Sequence, residues 1–127
     1  MREIDDDLDK MAHAVIGAAI EVHRALGPGF LESMYEEALC IELDARGIPF
    51  ARQVAVVAMY RGKPIGTGKL DLLVGDRLVV ELKAVDALAP VHVAQTLAYL
   101  RMTNKRLALL INFNVKILRD GIQRVAL

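Results

Sequence analysis

Three residues equipped for chemistry stand in the stretch KLDLLVGDRLVVELKA, residues 69–84: Asp71, Glu81 and Lys83. Two carboxylates and an ammonium are the groups that hold a divalent cation and steady a water or an anionic transition state. They are also groups that avoid strand interiors, because an unpaired buried charge costs several kcal/mol. Alternation sorts their neighbours by face: Leu70, Leu72 and Val74 share one side of the first run, and Leu78, Val80 and Leu82 share one side of the second. Pairing the two apolar sets places Asp71 opposite Glu81 and requires an odd loop, most simply Gly75-Asp76-Arg77. A two-residue loop would drive one apolar set onto the polar face. Two carboxylates about 4 Å apart repel by roughly 4 kcal/mol at an effective dielectric near 20, so a positive partner is required. Lys83 offers one on the same face as Glu81, and a divalent cation would offset more. From the residues alone the alternative is a salt-bridge lattice on a solvated strand face.

The elements that must position these groups follow from periodicity. Leu8, Met11, Val15, Ala18, Val22 and Leu26 recur at helical spacing behind an acidic start, and Gly27-Pro28-Gly29 stops that helix. Leu31, Met34, Ala38 and Ile41, flanked by Leu39 and Leu43, predict a second helix ending at Gly47. Residues 53–60, 65–74 and 78–84 read as an antiparallel meander with a turn at RGKP. After Pro90 a helical segment leads to RLALLINF, short and wholly apolar at its centre. That is a strand–helix–strand crossover, which makes the strand at 107–113 parallel to the one at 78–84 and covered on both faces. Asp120-Gly121 reads as the turn of a closing hairpin.

The chain has 127 residues, 54% of them apolar, which suits one domain spanning 1–127. No apolar run reaches the roughly 20 residues needed to span a bilayer, and the start MREIDDDLDK lacks a basic-then-apolar leader, so a cytoplasmic protein with no membrane partner is expected. Sixteen bases balance sixteen acids overall, yet residues 1–46 hold eleven acids against four bases and residues 47–127 hold five against twelve. A basic face on the second part is therefore available to an anionic partner. Cys40 stands alone in an apolar pattern and reads as a small core hydrophobe, while His13 and His23 lack metal-ligand spacing. Surplus Leu, Val and Ile, together with the apolar stripe of the first helix, predict a self-association surface, most simply that of a homodimer.

Asp71 followed by Glu81-Leu82-Lys83 resembles the acid-then-Glu-x-Lys motif of the PD-(D/E)XK nuclease superfamily, with Leu70 where that motif's Pro would stand. GFLESMY, residues 29–35, resembles the G-x-x-E-x-x-Y signature of the bacterial GxxExxY proteins, a family of that superfamily. QTLAY, residues 95–99, resembles the Q-x-x-x-Y motif of its RecB-like nucleases, and the likeness runs from about Ile16 to Leu127.

The resemblance implies an α/β (α+β) fold with a restriction-endonuclease-like core: two N-terminal helices, an antiparallel meander, and a crossover that makes the central sheet mixed. It implies a metal-dependent nuclease hydrolysing phosphodiester bonds of nucleic acid, DNA ahead of RNA. Asp71 and Glu81 would ligate Mg²⁺ or Mn²⁺ with the main-chain carbonyl of Leu82, and Glu32 would serve as a third acid. Lys83 would assist the attacking water or the transition state. Gln95 and Tyr99, one helical turn apart, would complete the catalytic group. Tyr35, Lys69, His92 and Arg101 would contact nucleic acid, the first two by position and the others from the helix after Pro90. The alternative is a non-catalytic nucleic-acid-binding or scaffold module that retains the fold.

Overall fold

The computed structural model describes residues 4–127. In chain order the elements are α1 (Asp6–Leu26), α2 (Glu32–Ala45), β1 (Phe50–Tyr60), β2 (Lys63–Val74), β3 (Leu78–Lys83), α3 (Pro90–Thr103), β4 (Leu107–Asn112) and β5 (Ile122–Ala126). The five strands form one mixed sheet in sequence order, with β3 and β4 parallel and every other neighbouring pair antiparallel. This is the predicted α+β architecture. No helix among the described residues is long and apolar enough to cross a membrane.

Apolar clusters lie on both faces of the sheet. On one, α1 and α2 cover Leu72, Val74, Leu78, Val80, Leu82, Leu107, Leu109 and Ile111. On the other, α3 supplies Leu100 over Val56, Leu70, Val79, Ala108, Leu110 and Val125. β4 is buried at every position because both layers close on it, which is why its sequence does not alternate. β3 is nearly as enclosed, so Glu81 lies in a strand whose neighbours are all core.

Asp5 caps α1, its side chain accepting from the Leu8 N–H at 2.9 Å. The helix buries Leu8, Ala12, Val15, Ala18, Ala19 and Val22 within the chain's own core. The stripe expected to drive self-association is therefore covered internally, and that ground for a homodimer is withdrawn.

The buried face of α2 also differs from the predicted one. Tyr35, Leu39, Cys40 and Leu43 point inward, whereas Leu31, Met34 and Ile41 are exposed. Tyr35 sets this rotation. Its ring stacks on Phe113 at 4.6 Å with 9° between planes, and its hydroxyl donates to the Gly27 carbonyl while accepting from the Phe30 N–H at 3.2 Å. The only polar atom of a fully buried ring is thus satisfied, and the α1–α2 turn is tied to the core. Cys40 is the small core hydrophobe its pattern suggested, its thiol pushed up to about 11 by burial.

Asp120-Gly121 does not make a tight hairpin. A short 3₁₀ turn over Leu118–Gly121 ends a longer connection, and β5 then returns antiparallel to β4. Gly121 is required there because its backbone lies against the carbonyl of Asn112, leaving no room for a Cβ. Gly121→Ala should lower stability by about 2–3 kcal/mol, read as a fall in denaturant midpoint with an unchanged slope; a midpoint equal to wild type would show that the two backbones are free to part.

Candidate active site

Backbone pairing between β2 and β3 runs over Leu72–Val74 and Leu78–Val80, joined by the three-residue loop that patterning required. One step beyond, the same register puts Asp71 across from Glu81, and side chains take over from the ladder. The Asp71 N–H donates to Glu81 Oε2 at 2.8 Å, and the Leu82 N–H donates to Asp71 Oδ2 at 2.8 Å. Each carboxylate thus satisfies a main-chain donor on the opposite strand.

The β1 side is irregular at the same level. Arg52 pairs with Leu72 and Val54 with Leu70, but Gln53 between them drops out of the ladder with φ 48°. A left-handed backbone is uncommon for a residue with a Cβ and marks a locally overruled conformation. Gln53 Nε2 donates to Glu36 Oε1 at 2.7 Å and reaches Asp71 Oδ1 at 3.5 Å. Arg52 meanwhile binds both Glu36 and Glu37 at 3.0 Å. Strict alternation fails here, so Leu70 packs in the α3 cluster and does not share a face with Leu72 and Val74 as predicted.

The electrostatics identify which groups feel one another. Burial, and then the Asp71 charge, push the Glu81 carboxyl up to about 8, against the lowering effects of the Asp71 N–H and Lys83. Asp71 is raised by burial, with the Leu82 N–H opposing and Glu36 adding to the rise. Glu32, the first residue of α2, is raised by partial burial and by Asp71, while Lys83 lowers it. Tyr99 is raised by burial, Glu81 and Asp71. Glu32, Asp71, Glu81, Lys83 and Tyr99 therefore share one field, with Lys83 its cation.

Gln95 lies one turn before Tyr99 on α3, its Nε2 donating to the phenol at 3.4 Å. The Tyr99 ring rests on Gly68 of β2, where an added Cβ would fall 2.9 Å from Cε1. Lys69 and Arg101 are exposed near this cluster in sequence and free of ion pairs among the described residues. One expected nucleic-acid contact is corrected. Tyr35 has no exposed surface and holds the turn that presents Glu32. His92, half-buried, caps α3: its Nδ1 accepts from the Ala89 N–H at 2.9 Å, and its main-chain N–H donates to the Ala89 carbonyl at 2.9 Å.

Three residues outside the sequence-derived set support the site. Glu36 follows Glu32 by one turn, a spacing visible in the sequence. Asn112 was also visible, as a lone amide ending an apolar strand. It pairs with Lys83 across β3 and β4, accepts from the Val85 N–H at 3.0 Å and donates to the Val85 carbonyl at 2.9 Å, so it fixes the chain leaving Lys83. Gln53 gave no signal, because its role depends on a backbone kink.

Among the described residues no three Asp, Glu, His or Cys side chains stand gathered as a ready metal cage. The donor chemistry nevertheless suits a small hard cation. Asp71 and Glu81 are oxygen ligands held side by side, and Mg²⁺ is commonly bound by one or two carboxylates with water completing its shell. Burial first, and then the charge of Asp71, drives Glu81 to about 8, and a bound cation would favour the ionised form against both.

In metal-free protein that upward shift has a pH signature. Glu81 binds its proton more tightly folded than unfolded, so its contribution is fully present below about 4.5 and is lost as pH rises toward 8. Asp71 and Glu32 are shifted in the same direction and act with the same sign. Stability in EDTA should therefore fall between pH 5 and 8 by up to about 1.4 kcal/mol per pH unit for each full proton. Glu81→Gln should flatten that fall in denaturant titrations, and an unchanged slope would contradict the assigned burial of the charge.

No curated protein matches the chain. The family model described as the PD-(D/E)XK nuclease superfamily matches residues 9–125, reaching from the first turns of α1 into β5 and so covering both strands of the acid pair and all three helices. With the acid on β2, the Glu-x-Lys run on β3 and the mixed sheet that joins them, the chain belongs to the PD-(D/E)XK nuclease superfamily.

Proposed function

We propose that this chain is a metal-dependent nuclease of the GxxExxY kind, acting as a single domain on phosphodiester bonds, with DNA its substrate ahead of RNA. The observation that supports this most is the reciprocal seat of Asp71 and Glu81: a half-buried and a buried carboxylate, both raised by their surroundings and held beside each other, with Lys83 two residues beyond Glu81. A salt-bridge lattice on a solvated face would have left these acids in water, whereas Glu81 is 5% exposed.

Asp71 and Glu81, with the Leu82 carbonyl and Glu32 beside them, would hold Mg²⁺ or Mn²⁺. A bound ion of this kind makes a water acidic enough to attack at neutral pH and neutralises charge on the scissile phosphate. Lys83 orients that water or donates to a phosphate oxygen, its charge already lowering all three acids. Gln95 and Tyr99 present an amide and a phenol from the covering helix, donors suited to phosphate oxygens. Glu36 and Gln53 act through Asp71 and position it.

Calorimetric Mn²⁺ titration with cleavage of mixed DNA and RNA substrates tests this reading. Glu81→Ala should lose metal affinity and activity together. Lys83→Ala removes a competing charge and keeps the acids, so affinity should hold or rise while cleavage falls by about 100-fold or more. Wild-type protein that binds nucleic acid but no metal, and cuts nothing, would be a non-catalytic module retaining the fold.

A further inference from the structure

β1 and β2 continue well past the sheet. They pair with each other from Phe50–Val74 to Tyr60–Lys63, but β3 meets β2 only over Leu72–Val74. The rest is a two-stranded ribbon that projects from the acid pair. Its inner part rests on α3 through Val54, Val56 and Leu70. Its outer part ends in a two-residue turn, Arg61-Gly62, with φ 49° and 77°, the left-handed pair that matches hairpin twist.

The ribbon's surface has one sign of charge. Residues 45–70 contain five bases and no acid. Arg46 and Arg52 are paired with acids of α2, but Arg61, Lys63 and Lys69 are exposed and have no ion pair among the described residues. Between these cations stand large exposed side chains: Tyr60 at 65%, Ile65 at 67% and Val57 at 46%. A long hydrophobic ribbon with free edges invites aggregation unless it has an occupant. Unpaired cations interleaved with apolar and aromatic groups complement a polyanion with apolar base edges, and a two-stranded β-ribbon fits the major groove of a duplex.

Geometry ties this surface to the reaction. Ten residues of extended chain separate Asp71 from Arg61, roughly 30 Å at a strand's rise. That span equals about nine base pairs of duplex. We propose that the β1–β2 ribbon is a duplex-gripping arm, so that the substrate is double-stranded nucleic acid extending about one helical turn to one side of the cut. This rests on the nuclease reading and names its substrate class.

The test is binding measured in EDTA, where no cleavage occurs, by fluorescence anisotropy with a 30-base-pair duplex, a 10-base-pair duplex and a 30-nucleotide single strand. Wild type should prefer the long duplex by about tenfold. Arg61→Ala with Lys63→Ala removes two phosphate contacts, so the salt dependence on the long duplex should weaken by about two in log–log slope and its advantage over the short one should vanish. Arg61→Glu with Lys63→Glu should go further, and both variants should melt with wild type because the turn lies outside the core. Unchanged affinity and slope in both variants, or no duplex preference in wild type, would overturn the arm while leaving cleavage with Mn²⁺ to judge the nuclease reading separately. Light scattering that finds a wild-type dimer and a monomer for the apolar variant Tyr60→Ser with Ile65→Ser, with duplex binding unaltered, would also overturn it, assigning the ribbon to self-association. Loss of long-duplex binding in the variants of a wild type that cuts nothing would keep the arm and remove the nuclease.

Discussion

The fold turns on one exchange of hydrogen bonds. Where β2 leaves β3, two main-chain N–H groups, those of Asp71 and Leu82, are without ladder partners across the β2–β3 pair in a partly buried region. Asp71 and Glu81 supply those partners from side chains, each across to the other's strand. Had two amides done the same work, the bonds would be satisfied without charge. Carboxylates make stronger acceptors but must be charged where water is scarce and beside one another; burial first and then the Asp71 charge raise Glu81, and a cation would offset both. Structural need and chemical capacity therefore come from the same two carboxylates.

The surrounding elements serve to aim groups at this point. α2 begins at Glu32 because Tyr35 is pinned by Phe113 and by the turn before it, so an acid at the helix start is carried to the rim of the sheet. α3 places Tyr99 over the ribbon and within the field of both strand acids. Asn112 closes the opposite side, holding the segment after Lys83 through two hydrogen bonds to Val85. Each aiming device draws on the core: a stacked ring, a glycine contact, a buried amide.

The helices, the meander, the parallel crossover and the odd hairpin loop were legible in the sequence because each rests on period or on local turn chemistry. The pairing of Asp71 with Glu81 followed from two apolar sets of three, and needed no coordinates. What escaped was whatever a long-range contact decided. The buried side of α2 was read from its aliphatic residues, but one aromatic ring with a partner 78 positions later in the chain, Phe113, outweighed them. Tyr35 looked like a ligand-contacting polar group, because a sequence does not distinguish a polar atom facing solvent from one tied to a turn. Leu70 was placed on the wrong face since alternation assumes unbroken strands, and Gln53 breaks β1 at that level.

Gly68 and Tyr99 show how closely two distant positions constrain each other. The ring fills the space a side chain at 68 would take, and the hydroxyl of that ring lies in the field of the acids. Residue 68 is thus a spacer that sets how closely the aromatic ring lies on β2. A side chain at 68 would be met by movement of the ring rather than of the backbone, and the cost would fall on where the phenol stands relative to the carboxylates.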